Sequence, residues 1–208
     1  TGNEYNPGIG FQHREDYHMY GGYLNYLWLS PEPSPVLRHG PRLDVDDFFS
    51  MTRGVRETGR YIFDYYIELK NFWQISLGGI YRIEKVFEVF ELSDEAEVPV
   101  GYYTFPQLTG FISTPSTRSA WLYIEGVSGG YFDGSMVHIS AVPSWSVSSS
   151  LTLGGAYIFS HVDLPERDQQ FISHIGRLKA LVMFNPRLSL RAFIQYNSDS
   201  HDLGSNIR

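Results

Sequence analysis

Residues Leu188-Ser189-Leu190-Arg191-Ala192-Phe193-Ile194-Gln195-Tyr196 alternate almost without a break. Successive side chains of an extended strand point to opposite faces. Leu188, Leu190, Ala192, Ile194 and Tyr196 therefore share one face, and Ser189, Arg191, Phe193, Gln195 and Asn197 the other. The first face is apolar and the second is wetter. The same period of two recurs along nearly the whole chain with no helical stretch between, which reads as one large antiparallel sheet. The class of protein then turns on what the apolar face meets.

Ten strand segments are expected, at about residues 11–29, 42–52, 60–70, 72–92, 102–113, 118–128, 136–146, 151–162, 171–184 and 188–196. In the third, Tyr61, Phe63, Tyr65, Ile67 and Leu69 face away from Ile62, Asp64, Tyr66, Glu68 and Lys70. In the fourth, Trp73, Ile75, Leu77, Gly79, Tyr81 and Ile83 make the apolar face. Residues 30–35, with three prolines, must be a turn, because a sheet interior cannot use a residue without an N–H. Residues 93–97 read as an acidic loop, 164–170 as a longer polar connection and 185–187 as a short turn. Several segments exceed the ~9–11 tilted residues that a strand needs to cross a bilayer. An antiparallel up-and-down transmembrane β-barrel is the expected fold, all of it one domain.

On that fold, charges inside strands point into the lumen, since an unpaired charge against lipid is costly. The lumen-facing candidates are Asp64, Glu68, Glu125, Arg177, Lys179 and Arg191. The candidates for aromatic girdles at the two lipid–water interfaces are Trp28, Trp73, Tyr81, Trp145 and Tyr196.

Composition fits this picture. The 208 residues carry a net charge of -7, which argues against a nucleic-acid partner held through its phosphates. Aromatic residues make up 16%, with 15 Tyr and 14 Phe, and both types favour strands. A mean hydropathy of -0.23 excludes a helical membrane protein but not a barrel, whose strands are apolar on one side only. The absence of cysteine rules out disulfides and thiolate metal sites.

Several segments resemble an uncharacterised bacterial family, catalogued as domain of unknown function 5916. They are Tyr5-Asn6-Pro7-Gly8-Ile9-Gly10-Phe11, Gly130-Tyr131-Phe132-Asp133-Gly134, His161-Val162-Asp163-Leu164-Pro165, residues 174–177, 186–198 and Asn206-Ile207-Arg208. The resemblance covers most of the chain and is most specific in its last third. It implies the C-terminal outer-membrane barrel of a longer protein. In that family the barrel follows a signal peptide and an N-terminal domain of the carbohydrate-binding family 9 type. Further strands and the N-terminal domain of the same protein are then expected outside this chain. The expected partners are outer-membrane lipid, other envelope proteins and glycans. The family has no established catalytic residues, and none is carried over.

Other clusters are weighed on their own chemistry. His13, Arg14, Glu15, Asp16 and His18 divide between two strand faces, so they do not converge as metal ligands must. Asp44, Asp46 and Asp47 have the oxygen-rich spacing of a calcium loop but lack its glycine and distal glutamate. His161 with Asp163, and His201 with Asp202, are near in sequence only, and residues 144–150 are serine-rich without a nucleophile elbow. No cofactor, resident metal or catalytic constellation is expected. The expected role is an anchor, channel or component of an envelope complex. The alternatives are a soluble all-β carbohydrate-binding module, with aromatic platforms for sugar rings, and an envelope hydrolase.

Overall fold

A computed structural model describes residues 16–93, 96–185, 187–198 and 201–207. Its strands are β1 Tyr17–Asn25, β2 Trp28–Leu29, β3 Val36–Ser50, β4 Arg56–Leu69, β5 Gln74–Val86, β6 Phe90–Ser93, β7 Ala96–Val98, β8 Gly101–Ser113, β9 Ala120–Tyr131, β10 Gly134–Ser146, β11 Leu151–Leu164, β12 Gln169–Asn185, β13 Leu188–Asn197 and β14 Asp202–Ile207. One 3-10 turn, Pro165–Arg167, accompanies them, and the described residues contain no α-helix.

The main sheet is a single antiparallel meander in the order β1-β3-β4-β5-β8-β9-β10-β11-β12-β13-β14. Short β2 pairs with β3 as a continuation of β1. The sheet is not closed into the expected barrel: among the described residues each of β1 and β14 has a strand neighbour on one side only.

The register sorts every residue. Directly paired residues share a face, and one line of such pairs runs Trp28, His39, Ile67, Ile75, Ile112, Ile124, Ala141, Tyr157, Gly176, Tyr196, Leu203. It begins at the rim that holds the β2–β3, β4–β5, β8–β9, β10–β11 and β12–β13 connections, here the first rim. It ends near the second rim, which holds the others. A pairing line that crosses from rim to rim means that the strands are staggered, as shear requires in a curled sheet. Isoleucines fill its middle and aromatic rings stand near its ends.

The face carrying this line is apolar and open. Leu77 is 68% exposed, Leu108 68%, Leu178 66% and Phe63 59%. The opposite face carries Arg38, Arg42, Asp44, Asp46, Arg60, Asp64, Glu68, Arg82, Gln107 and Glu125.

The β6–β7 hairpin shows which way the sheet curls. It leaves the sheet between β5 and β8 at the second rim and pairs only with itself. Ala96 packs with Val162 and Leu164, and Leu92, Tyr131, Met136 and Phe171 close around them. Val162, Leu164, Tyr131, Met136 and Phe171 all lie on the polar-face register. The backbone N–H of Glu97 donates to Gln169 Oε1 at 3.2 Å, and Arg167 bonds both the Glu97 carbonyl and Asp133. The hairpin thus spans from β5 to β12 as a chord across the polar face. That face is concave, and the apolar face is the outer one. Val98 of this hairpin and Leu164 of β11 are fully buried.

The structure refines the sequence reading at several points. All ten expected strands are present, with shifted ends. Residues 11–15 of the first lie outside the described residues, and the fourth ends at Val86 rather than at residue 92. The expected acidic loop contributes a hairpin, because Ala96 and Val98 are buried by a distant part of the sheet. Residues 202–207, beyond the ten expected segments, form β14 against β13. The polar connection after β11 is a single tight turn, and the one long excursion is residues 87–100.

Two turns show the local chemistry. In the Tyr131-Phe132-Asp133-Gly134 hairpin, Phe132 has a φ of 53° and packs its ring on Phe90, Tyr103, Phe105 and Tyr131. A Cβ on Gly134 would stand 2.1 Å from the Asp163 carbonyl oxygen, so only glycine fits there. Beside the β3–β4 turn, the Asp16 carboxylate accepts bonds from Ser50 Oγ at 3.2 Å and the Thr52 N–H at 3.1 Å. The Thr52 side chain is the main cause holding the Asp16 pKa below the ordinary carboxylate value.

Leu164→Ala removes the side chain at the centre of the chord contact. It should cost about 2–5 kcal/mol of local stability. Hydrogen exchange at residues 96–98 should accelerate while the β3–β4 amides stay protected. Equal acceleration everywhere would show that the hairpin is not a separate docking unit.

Candidate functional site

The concave face is built on cross-strand ion pairs. Arg38 and Glu68, Arg42 and Asp64, and Asp46 and Arg60 are direct register partners on β3 and β4, repeating every fourth residue. Arg38 Nε donates to Glu68 Oε2 at 2.5 Å. Arg42 holds Asp64 with two bonds, at 2.7 and 3.0 Å, and reaches Ser76 Oγ at 3.2 Å. Arg60 binds Asp46 and also Asp44 Oδ1, the latter at 2.9 Å. The Arg42 guanidinium lies 4.7 Å from the Tyr66 ring centre and 5.7 Å from that of Phe111. A planar cation is thereby pinned both by its carboxylate and by two rings.

The network continues across the sheet. Arg82 Nε donates to Gln107 Oε1 at 3.0 Å, and Gln107 Nε2 donates to the Gly130 carbonyl at 2.9 Å. Tyr123 Oη donates to Glu125 Oε2 at 2.8 Å. His138 Nδ1 lies 2.9 Å from Ser160 Oγ. Farther round, on β12 and β13, Arg177 bonds only the neutral Gln195, at 2.9 Å. Lys179 and Arg191 lie on the same concave register, and no described carboxylate lies within ion-pair distance of either. One side of the concave face is therefore neutralised pair by pair, and the other is a cationic strip.

The register places all six lumen-facing candidates, Asp64, Glu68, Glu125, Arg177, Lys179 and Arg191, on this concave face. Of the aromatic candidates, Trp28 and Trp145 stand on the outer face at the first rim, and Trp73 borders the turn beside them. Tyr81 and Tyr196 stand on the outer face toward the second rim. Trp28 packs on Tyr26 and His39, and His39 Nδ1 lies 2.5 Å from Tyr65 Oη. Toward the second rim, Tyr157 Oη lies 2.8 Å from His174 Nδ1.

The other clusters resolve locally. Asp44 and Asp46 are taken by Arg60, while Asp47 on the outer face binds Arg56 and accepts from Tyr61 Oη at 2.6 Å. No group of three or more His, Asp or Glu side chains is arranged to hold a metal among the described residues. His13, Arg14 and Glu15 lie outside the described residues. Sequence reading had missed Arg38, Arg42, Arg60 and Arg82 as concave-face residues. The even spacing of Arg38, Arg42, Asp44 and Asp46 was a usable signal, obscured by Gly40, Pro41 and Asp47 between and beside them.

Comparison with models of protein families, with characterised proteins and with solved structures gives no match.

Arg42→Gln strips Asp64 of its main cation in a half-buried setting. The variant should lose about 1.5–3 kcal/mol, the range for a hydrogen bond to a charged group. Lys70→Gln, at the exposed Glu32 pair, should cost within about 1 kcal/mol. Urea unfolding midpoints of the two variants check the difference.

Proposed function

We propose that this chain is a segment of a bacterial outer-membrane β-barrel, with its apolar face toward lipid and its ion-paired concave face toward a lumen. The observation that carries this reading is the segregation of the two faces. The outer face exposes an apolar band that runs over the ten strands from β1 to β13, with Leu24, Leu43, Phe63, Leu77, Leu108, Ile139, Leu153, Leu178 and Leu190 on nine of them and the smaller outer residues of β9 between Leu108 and Ile139. Water-soluble monomers rarely leave a patch of that extent uncovered. Rings and polar groups bound it at both rims, as interfacial girdles do. Strands of 10 to 17 residues in β3–β5 and β8–β13 are long enough to cross a bilayer.

The role that follows is a transmembrane wall around a polar space, narrowed at its second rim by the β6–β7 chord. In an envelope protein such a wall serves as an anchor or a selective passage. The unneutralised Arg177, Lys179 and Arg191 would make a passage prefer anions. The resemblance to the family of unknown function 5916 supports the same reading and adds the expectation of glycan handling through a preceding domain. A soluble glycan-binding module would need the apolar outer face covered by something else.

A charge on the outer face separates these readings. Leu108→Arg should cost about 2–4 kcal/mol of folding stability in a bilayer, while Thr109→Arg, one residue on and facing the concave side, should be tolerated. Folding into lipid vesicles, followed as a gel band that shifts on boiling, measures both. If Leu108→Arg folds as well as the unaltered protein, or the chain stays dispersed without detergent, the membrane reading fails.

A further inference from the structure

One sizeable cavity lies outside the concave face. It is a groove of about 630 Å³ on the outer face at the first rim, where β9, β10, β11 and β12 meet the β8–β9 turn. Pro143, Leu153 and Leu178 form its apolar walls, and Trp73, Trp145 and Arg118 stand at its rim end. Gly155 lies on its floor: a Cβ there would come within 3.0 Å of the Arg177 carbonyl oxygen and would touch Pro143 Cγ and Leu178 Cδ2 at 3.7 Å, so the glycine leaves open a space between those walls. Two of the four tryptophans of the chain, Trp73 and Trp145, thus stand at this one groove.

Arg118 is exposed, and among the described residues no carboxylate lies within ion-pair distance of it, as is also true of Arg177 and Arg191; unlike those two, it stands beside an apolar groove rather than on the concave face. An unneutralised cation at the mouth of an apolar slot, where the outer wall meets its rim, is complementary to one kind of molecule. That molecule has an anionic head and a hydrocarbon tail.

We propose that this groove is a site for a net-anionic phospholipid, with one acyl chain lying between Pro143, Leu153 and Leu178 and the headgroup phosphate on Arg118. The site rests on the membrane reading above, and it adds selectivity for one lipid class to it. The rings of Trp73 and Trp145 flank the glycerol region, the depth at which indole is most at home.

The tryptophans themselves report on occupancy. The full-length protein, with the strands that close its sheet, is folded into phosphatidylcholine vesicles containing, at equal mole fractions, either phosphatidylglycerol or phosphatidylcholine with brominated acyl chains, which quench indole fluorescence on contact. Brominated phosphatidylglycerol should quench as if enriched about fivefold around the protein, the ratio that one basic side chain supplies near an anionic surface. Arg118→Gln should abolish the preference, whereas Arg118→Lys and the rim control Arg187→Gln should keep it. Should Arg118→Gln not fold, raised salt on the unaltered protein replaces it and should likewise erase the preference. Equal quenching by the two lipids, or a preference that survives both Arg118→Gln and salt, overturns the lipid site. Quenching by neither lipid is a different failure, because it overturns the membrane reading beneath it.

Discussion

Register is the constraint on which everything else in this molecule depends. The backbone ladder between neighbouring strands decides which residues stand opposite one another, and a slip of one residue would exchange the two faces. On β3 and β4 the ladder sets Arg38 against Glu68, Arg42 against Asp64 and Asp46 against Arg60. The same alignment sets Leu43 against Phe63 and His39 against Ile67 on the other side. A slipped sheet would turn arginines outward among leucines and leave carboxylates without cations. The ion pairs therefore do more for the choice of register than for net stability, since a half-buried pair returns little beyond its own desolvation.

The concave face is not packed like a protein core. Few hydrophobic side chains are fully buried, and most of those belong to the second rim, where the β6–β7 hairpin supplies a second layer. Elsewhere the polar face is filled by long side chains that bond to each other. Arg42 lies over Tyr66 and Phe111, and Arg82 reaches the Gly130 carbonyl through Gln107. Such a lining is polar and tied by its own bonds, which suits the proposed wall around a polar space. The hairpin covers the concave face at the second rim only, so the two ends of that face differ in chemistry.

Legibility from sequence followed the strength of the periodic signal. The run from Leu188 to Tyr196 disclosed its two faces because its alternation is long and nearly unbroken, and β4 did so for the same reason. The strand before them was harder. Gly40 and Pro41 interrupt β3, and Asp47 puts a charge on its outer face, so the arginines that organise the concave side were overlooked. The β6–β7 hairpin was invisible for a different reason. Ala96 and Val98 form too short a pattern to register, and what buries them is Val162, Leu164 and their neighbours, far along the chain. The groove at the first rim combines both difficulties, because it is made where Gly155 has no side chain and where the β8–β9 turn brings Arg118 to the same groove as Trp145.

Strand edges join the local chemistry to the larger assembly. β1 and β14 each present one row of N–H and C=O groups with no strand beside it among the described residues. In water such edges invite pairing; in hydrocarbon each unpaired group costs several kcal/mol, so an open wall cannot stand in lipid. The exposed outer band and the free edges thus impose one joint condition. An environment that welcomes Leu77, Leu108 and Leu178 forbids bare edges at β1 and β14. On the proposed membrane reading, any strand that closes the wall pairs at one of those two edges, continues the stagger that carries the pairing line from Trp28 to Leu203, and keeps apolar residues on its outer side.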